Sequence, residues 1–570
     1  MRLQSKSLFF RAERTAMVRN SSIFRGLSGN IPGLLKYLFS ACLIVLASVT
    51  SHSGMLVPGF LQLVIIILIS DALIEISPLF QIVNGAACLF LNVQYAILYF
   101  SNSFLSLTML QNLDSLKDLS GHALLYSAGV SVVVFISLMP VRPFFFRRKL
   151  SLSLIKIIAA AALQASSIML FQEESPVGSL IKLRKDYGTY AEMMKIIESH
   201  EYEIAESARN SVFYKTGITD RIAKPDVLTR HPNIILIFAE GLSRNIITDE
   251  RNIMPHLSEL SNQSISFTSC YNHTFATYHA IQGQLFSGFQ FNNYDTNNLI
   301  SLQSILSSEG YTTRFLNTEP ENKEFTQYLN NLGFDEVRNS TELTEIKELR
   351  YVSDKDALAY LFEQAEEMNE SGKPFFLSTY TFGTHATLDS PHVKFGEGNE
   401  VLLNRFHNLD VHLSDFLERF RNSELYDNTI LVFTADHATY ADQDFTNAFP
   451  DFSRFISTAD EIPLLIYHKD VEEKSIDAGG RTSLDLVPTV LDYLDISKEN
   501  LFMGSTLFSS DDAEEIEYVS WNSEYALNTY QNELSWIKDE KLDELTGLLK
   551  EYFILAAQKN ILNEETVSSE

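Results

Sequence analysis

Residue types that bind metal ions follow two apolar segments of this sequence. Asp436 and His437 come shortly after an apolar, β-branched run that ends at Phe433, and Glu240 comes shortly after a run that ends at Phe238. Carboxylate and imidazole groups are ligands that suit Zn²⁺ or Mn²⁺. An Asp-His pair also occurs in ordinary turns, so the pair is informative only if other strands bring further ligands to the same place.

A third apolar run, Phe375–Thr381, leads to His385. Short apolar runs are typical of buried parallel strands, and sites in parallel α/β sheets form beyond the carboxyl ends of the strands. We therefore expect Glu240, His385, Asp436 and His437 to meet at one sheet edge, where a divalent ion would bind. The alternatives are a helix start at Glu240 and a purely structural role for His385.

The segment between residues 270 and 288 begins with polar residues and continues as a helical pattern with small residues. A hydroxyl group at the N-terminus of such a helix is well placed for catalysis, because the helix amides stabilise phosphate charge. A neighbouring metal ion would also lower the pKa of that hydroxyl. Thr274 and Thr277 are both candidates for this nucleophile, and the residues alone do not choose between them.

These residues belong to a segment, beginning at His231, in which strands and helices alternate. Alternation of this kind predicts a mostly parallel sheet with helices on both faces. The predicted strands are Ile234–Phe238, Thr312–Leu316, Phe375–Thr381, Thr429–Phe433 and Leu464–Tyr467, and the clearest helical patterns are Asp354–Met368 and Val401–Arg421.

The N-terminal part of the chain is predicted to be an α-helical membrane domain. Its five apolar stretches, each close to the roughly 20 residues that cross a bilayer, cover about residues 37–54, 58–76, 82–101, 121–139 and 152–171. We therefore divide the chain into a basic cytoplasmic tail, a five-helix transmembrane domain, amphipathic linker helices and an α/β domain, at residues 1–36, 37–171, 172–230 and 231–570.

The distribution of basic residues predicts the orientation of the membrane domain. Lys and Arg are concentrated in residues 1–36 and in the loop at 142–149, so both segments are expected on the cytoplasmic side. An odd number of spans then places the C-terminal domain outside. We therefore expect a multi-pass protein of the cell (inner) membrane with an extracytoplasmic, or periplasmic, catalytic domain.

Charge is distributed unevenly along the chain. Residues 1–171 contain 13 basic and 5 acidic side chains, whereas the whole chain has a net charge of −28, so the C-terminal part is strongly acidic. Its field would repel phosphate backbones, which argues against nucleic acid as a partner. An acidic domain that handles a phosphate needs local screening, which favours a bound cation. Only one of the three cysteines, Cys270, lies in this part, so a disulfide within it is excluded.

The ordered set of motifs in residues 231–500 resembles the sulfatase-like branch of the alkaline phosphatase superfamily. It is most similar to the lipoteichoic acid synthases and secondarily to the phosphoethanolamine transferases, which share the five-span membrane architecture. The resemblance implies a sulfatase-like α/β fold. The matching segments are Asn233–Ser243, Gly310–Leu316, Leu332–Asp335, Pro374–Leu377, Tyr426–Ile430, Ile462–Ile466 and Asp485–Thr489.

The resemblance also implies a role for each candidate site residue. The implied metal ligands are Glu240, Asp436, His437 and Thr277. Thr277 is in addition the implied nucleophile, because Thr277–Ala280 matches the family pattern Thr-x-x-Ala, and Thr274 is the alternative. His385 takes the position of the family's substrate-binding histidine. The implied cofactor is a divalent metal ion, Zn²⁺ or Mn²⁺, with Mg²⁺ as a further option.

Three departures from the family patterns bear on the substrate. The phosphoethanolamine transferases often flank the nucleophile with disulfide cysteines, which this domain lacks. The Trp and Arg that the synthases use near the glycerol phosphate are not evident around Arg350–Ser353. The Cys/Ser-x-Pro-x-Arg sequence of true sulfatases is missing. The head group therefore stays open between phosphoglycerol and phosphoethanolamine.

The resemblance implies metal-dependent transfer of a phospho-alcohol head group through a phosphothreonine intermediate. The expected partners are a phospholipid donor, an envelope glycan or lipid acceptor, and the membrane, with no nucleic acid. One alternative is a periplasmic phosphodiesterase or sulfatase-type hydrolase on the same scaffold. The other is a non-catalytic regulatory protein that has kept the fold without the activity.

Overall fold

The protein divides into two compact units, Met1–Lys185 and Asp186–Glu570, in a computed structural model of the chain. The tail up to residue 30, most of the basic loop at 142–149, and Arg350 lie outside the described residues. The described residues are 31–51, 54–101, 103–106, 109–110, 123–142, 150–199, 209–218, 221–222, 225–289, 299–339, 351–386, 388–509, 518–519, 527–528, 534–537 and 539–557.

Apolar helices make up the first unit. They are α1 Ile31–Thr50, α2 Leu56–Ile76, α3 Gln81–Ser101, α4 Ala123–Leu138 and α5 Leu150–Phe171. Within the described part of the chain, four segments are long and apolar enough to cross a membrane, namely Ile31–Thr50, Leu56–Ile76, Pro78–Phe100 and Leu152–Phe171. The fourth predicted span corresponds to α4, which is shorter at 16 residues. The predicted α-helical N-terminal domain is thus confirmed, with four described segments of spanning length where the sequence predicts five.

Charged residues inside this first unit have polar partners. Nζ of Lys156 on α5 lies 3.3 Å from Glu75 and 3.7 Å from Asp71 on α2. Lys36, assigned from sequence to the tail, lies within α1 and is fully buried, where its Nζ donates a hydrogen bond to Asn84. Pairing of this kind is expected of ionisable groups among apolar helices, because an unpaired charge there is costly.

A 24-residue helix, α6 Pro176–Ser199, follows the apolar helices. The sequence predicts several linker helices over residues 172–230, and the structure has one long helix in the first half of that range.

An eight-stranded sheet forms the framework of the second unit. Its strands are β1 Asn233–Ala239, β2 Ile265–Thr268, β3 Thr312–Asn317, β4 Glu336–Asn339, β5 Phe375–Tyr380, β6 Thr429–Ala435, β7 Leu464–Tyr467 and β8 Lys474–Asp477, in the order β4-β3-β5-β1-β6-β7-β2-β8. The strands from β4 to β6 in this order are parallel, whereas β7 is antiparallel to both neighbours. The predicted mostly parallel sheet is confirmed. All five predicted strands are present, and β2, β4 and β8 are additional.

Helices cover both faces of this sheet. They are α7 Arg244–Ile247, α8 Pro255–Asn262, α9 Thr277–Phe286, α10 Leu302–Ser308, α11 Lys323–Asn330, α12 Asp354–Glu370, α13 Val401–Arg421, α14 Gln443–Ala448, α15 Leu486–Tyr493 and α16 Asp539–Ala557. A small second sheet contains β9 Tyr518–Val519, β10 Leu527–Asn528 and β11 Ser535–Trp536.

Alternate residues of β1 enter two different hydrophobic cores. Leu236 and Phe238 pack in the core on one face of the sheet, and Ile235 and Ile237 pack in the core on the other. Because both faces are buried, the strand is apolar along its whole length, as expected for a central parallel strand.

Candidate active site

The register of the central strands decides which residues meet at the edge of the sheet. β1 and β6 run parallel with Ala239 opposite Ala435, so Glu240 and Asp436 leave the sheet side by side. β5 pairs with the other side of β1, and its continuation carries His385. The three segments therefore meet beyond the carboxyl ends of adjacent parallel strands, which is where sites form in such sheets.

Glu240, Asp436 and His437 form a buried cluster at this edge. One possible ligand atom of each residue lies within 4.8 Å of the others. Nε2 of His437 lies 3.5 Å from Oε1 of Glu240 and 3.4 Å from Oδ2 of Asp436. The structure thus brings together three of the four residues that the sequence predicts as ligands.

The chemistry of this cluster fits a divalent cation. Burial first, and then the charge of Asp436, raises the pKa of Glu240 well above its ordinary value. Oδ2 of Asp436 is buried and has no hydrogen-bond partner in the described part of the chain. A buried carboxylate oxygen without a donor is costly, and a cation would supply both the missing partner and the opposite charge. Two carboxylates and an imidazole suit Zn²⁺ or Mn²⁺.

Backbone contacts fix the orientation of the two candidate ligands that follow β6. Oδ1 of Asp436 accepts hydrogen bonds from the backbone N–H groups of Gly241 at 2.8 Å and His437 at 2.7 Å, so that Oδ2 is the oxygen left for a cation. Nδ1 of His437 lies 2.8 Å from the carbonyl oxygen of Ala438, which can only accept, so Nδ1 carries the proton. Nε2 then presents its lone pair to the carboxylates, as a metal ligand requires.

Thr277 lies at the first position of α9 and contacts the cluster directly. Its Oγ1 donates a hydrogen bond to Oε2 of Glu240 at 3.0 Å. The preceding residue, Ala276, has a φ of 84°, which is strained for a residue other than glycine and is often found at functional sites. Thr274 is buried, and within the described residues it makes no hydrogen bond to the three clustered side chains.

Gln284 connects the helix that carries Thr277 to the sheet. Its side chain is fully buried, and Nε2 donates hydrogen bonds to the carbonyl oxygens of Ala435 at 3.0 Å and Asp436 at 2.8 Å. The contact fixes α9 against the end of β6, and therefore fixes Thr277 relative to the cluster. Sequence reasoning missed Gln284, although a glutamine among the small and apolar residues of this helix was an available signal.

His385 lies on the loop after β5, at the same edge of the sheet. Its ring stacks on that of Phe382, with centroids 4.8 Å apart and planes inclined by 15°. Nδ1 donates to the carbonyl oxygen of Ala386 at 3.0 Å, so Nε2 is the ring nitrogen with the lone pair. Burial lowers the pKa of His385 to about 4, so the ring is neutral near pH 7.

A further acidic residue, Glu319, lies near the cluster and was also missed by sequence reasoning. It follows β3, it is 7% exposed, and it accepts a hydrogen bond from the hydroxyl of Tyr380 at 2.6 Å. Its charge contributes to the raised pKa of Glu240. The available signal was a carboxylate shortly after a predicted strand, which is the kind of position that identified Glu240.

Comparisons with known proteins agree with this fold. A family model described as Sulfatase matches residues 232–496. The fold is similar to that of a protein in the alkaline phosphatase superfamily from Vibrio parahaemolyticus, with a TM-score of 0.50 and 16% sequence identity over 65% of this chain and 95% of that chain. The lipoteichoic acid synthase LtaP from Listeria monocytogenes aligns with a TM-score of 0.49 and 16% identity over 62% of this chain and 98% of that chain. No curated protein sequence matches the chain.

Proposed function

We propose that the chain is a membrane-anchored phospho-alcohol transferase, on the premise that residues 232–496 match the Sulfatase family model. The donor is a phospholipid, phosphatidylglycerol or phosphatidylethanolamine, and the acceptor is a hydroxyl group of an envelope glycan or lipid. The apolar N-terminal helices support a lipid donor, because an enzyme that acts on a soluble ester needs no membrane domain. The charge distribution of the membrane segments supports an extracytoplasmic catalytic domain.

The observation that carries this proposal is the hydrogen bond from Thr277 to Glu240 beside Asp436 and His437. A hydroxyl group that is bonded to a buried carboxylate at the start of a helix is placed to act as a nucleophile. The absence from the sequence of the sulfatase Cys/Ser-x-Pro-x-Arg motif supports threonine chemistry over sulfate-ester hydrolysis.

Glu240, Asp436, His437 and Thr277 would hold the metal ion, Zn²⁺ or Mn²⁺ with Mg²⁺ as a further option. A divalent ion supplies positive charge that stabilises phosphoryl oxygens and lowers the pKa of a neighbouring hydroxyl. Its identity is open, because carboxylate oxygens and one imidazole accept all three ions.

The residues of the chain then have distinct tasks in two half-reactions. Oε2 of Glu240 accepts the hydrogen bond through which Thr277 gives up its proton. Oγ1 of Thr277 forms a bond to the lipid phosphorus, the bond from phosphorus to the diacylglycerol oxygen breaks, and diacylglycerol leaves with the proton that Thr277 released. Nε2 of His385, which carries no proton in the neutral ring, accepts the proton of the acceptor hydroxyl. The acceptor oxygen forms a bond to phosphorus, the bond from phosphorus to Oγ1 of Thr277 breaks, and Oγ1 takes up the proton held by His385. Positioning and electrostatic stabilisation account for most of the acceleration in such transfers.

Intact-mass analysis of the full-length protein tests this function. The protein in detergent is incubated with phosphatidylglycerol or phosphatidylethanolamine and a divalent metal ion, and fragmentation locates any adduct. We expect a phospho-alcohol adduct on Thr277 whose mass identifies the head group. The adduct should be absent from Thr277→Ala and should persist in the matched control Thr274→Ala. An adduct that survives Thr277→Ala, or release of free head group without any adduct or acceptor product, would contradict the proposal.

A further inference from the structure

Arg405 is a buried arginine whose charge is not matched by a carboxylate at contact distance among the described residues. It lies on α13 and is 2% exposed, and within the described residues it forms no ion pair. Its Nη1 donates a hydrogen bond to the carbonyl oxygen of His385 at 2.8 Å, and its Nε has no partner in the described part of the chain. Burying a charge without an opposite charge beside it is costly. An uncharged side chain would therefore be more stable at this position if the residue had only a packing role.

The acidic residues that influence Arg405 in the described structure lie beyond ion-pair distance. Burial lowers its pKa, and the charges of Asp442, Asp444 and Asp389 oppose that shift. A guanidinium is effectively always protonated in proteins, so the side chain keeps its positive charge. Among the described residues, its one hydrogen bond goes to the backbone carbonyl oxygen of His385.

The same loop is anchored by a second buried charge of opposite sign. Asp354 on α12 is 1% exposed, and its Oδ1 accepts a hydrogen bond from the backbone N–H of Gly383 at 2.9 Å. A Cβ atom at Gly383 would lie 2.4 Å from Oδ2 of Asp354, so the close approach requires glycine. Oγ1 of Thr384 in turn donates to the carbonyl oxygen of Glu240. The loop is thereby held at three successive residues and is tied to the metal-binding strand end.

We propose that Arg405 is a positioning residue that holds His385 in place for phosphoryl transfer. This inference rests on the proposed function, because it assigns Arg405 a part in the same reaction. Nδ1 of His385 is occupied by Ala386 and its ring is stacked on Phe382, so the position of the backbone carbonyl that Arg405 binds sets where Nε2 points. Arg405 contacts none of the clustered side chains in the described structure, and it therefore acts through His385.

A double-mutant cycle on the full-length protein distinguishes positioning from a general structural role. The four proteins are the wild type, Arg405→Gln, His385→Ala and the double variant, and the measurement is the rate at which the Thr277 adduct is consumed when glycerol is added as the acceptor alcohol. We expect each single variant to slow the rate by about tenfold to 100-fold, as small misplacements do. The double variant should be no slower than His385→Ala alone, because residues that act as a unit are not additive. Multiplied losses in the double variant, or an unchanged rate in Arg405→Gln, would overturn the inference.

Two further variants keep the test decisive if Arg405→Gln folds poorly. Arg405→Lys keeps the charge and one donor, so it should recover part of the rate, whereas a structural role would leave Gln and Lys equally impaired. Arg421 lies on the same helix and hydrogen-bonds to Tyr467 and Gln263. The matched control Arg421→Gln should leave the rate of adduct consumption unchanged. A loss of rate as large as that in Arg405→Gln would overturn the inference.

Binding of inorganic phosphate to the metal-loaded protein gives a readout that does not depend on turnover. Because Nε2 of His385 can accept a hydrogen bond from a phosphate hydroxyl, we expect weaker phosphate binding in Arg405→Gln and in His385→Ala, with no additional loss in the double variant. Equal binding in wild type and Arg405→Gln counts against the inference. If phosphate binding follows this pattern across the variants but the wild type never forms an adduct, the proposed function is refuted while the role of Arg405 is supported.

Discussion

Replacement of Asp436 by asparagine tests whether the buried carboxylate pair is built for a cation. An asparagine can keep the Oδ1 contacts to Gly241 and His437 and changes only the atom at Oδ2, which has no partner in the described structure. Two unit charges 4.8 Å apart, the outer limit for this cluster, repel each other by about 3 kcal/mol at an effective dielectric constant of about 20. Without metal, the substitution removes this repulsion.

The expected effect therefore changes sign with metal. In metal-free protein, Asp436→Asn should raise the free energy of unfolding by about 1–3 kcal/mol, less than the full repulsion because Glu240 relieves part of it by taking up a proton. With metal at a 1,000-fold excess over Kd, the wild type gains about 4 kcal/mol from binding, and the variant loses most of that gain. The order of stability of the two proteins should reverse when metal is added.

Thermal unfolding of the full-length protein in detergent, with a chelator and then with Zn²⁺ or Mn²⁺, measures this reversal. Asp410→Asn is the matched control, because the Asp410 carboxylate accepts hydrogen bonds from the backbone of His256 and Leu257 and lies outside the cluster. It should lower the midpoint equally in both conditions. An Asp436→Asn midpoint that shifts by the same amount with and without metal would refute the reasoning.

Two other substitutions test the packing around the site. Gly283→Ala should lower the free energy of unfolding by about 1–3 kcal/mol through overpacking, because its Cβ would lie 2.1 Å from Nε2 of the buried, hydrogen-bonded His273 ring. Gly547 lies in a helix with open space around it, so Gly547→Ala should raise the free energy of unfolding by about 0.5–1 kcal/mol. Equal effects of the two substitutions on the unfolding midpoint would contradict this expectation. Burial raises the pKa of Asp354 to about 6. Between about pH 4 and pH 6 the folded protein therefore holds a proton that the unfolded chain has lost. The free energy of unfolding falls by up to about 3 kcal/mol as the pH rises through that window. Asp354→Asn should remove this fall, and a difference from wild type that is independent of pH would show that the carboxyl does not titrate there.

The sequence predicted both the central strands and the clustering of Glu240, Asp436 and His437, because both depend on strands that are parallel and buried on both faces. A strand that is buried on both faces is apolar throughout, so β1, β5 and β6 stand out as continuous runs. Parallel strands direct their carboxyl ends to the same edge, so the first polar residues after those runs had to converge.

Other features were not predictable, and each has a physical reason. β4 and β8 are edge strands with half-exposed or exposed, mainly polar residues, so no apolar period marks them, and β2 has only four residues. The choice between Thr274 and Thr277 depends on where α9 begins, and that start is set by the positive φ of Ala276, which local propensity disfavours. The contacts of Gln284 and Arg405 depend on tertiary packing that residue spacing does not contain.

The pairing of β1 with β6 also determines when a metal ion can be acquired. Gly241 and Asp436, which share a hydrogen bond at the site, are 195 residues apart in the chain. The coordination sphere therefore cannot exist until synthesis has passed His437 and this long-range pairing has formed, which is a slow, late event in folding. If the domain is translocated as it is made, the nascent chain crosses the membrane without its ion. A metal ion at the candidate site would then come from the supply outside the cell membrane and not from the cytoplasmic pool.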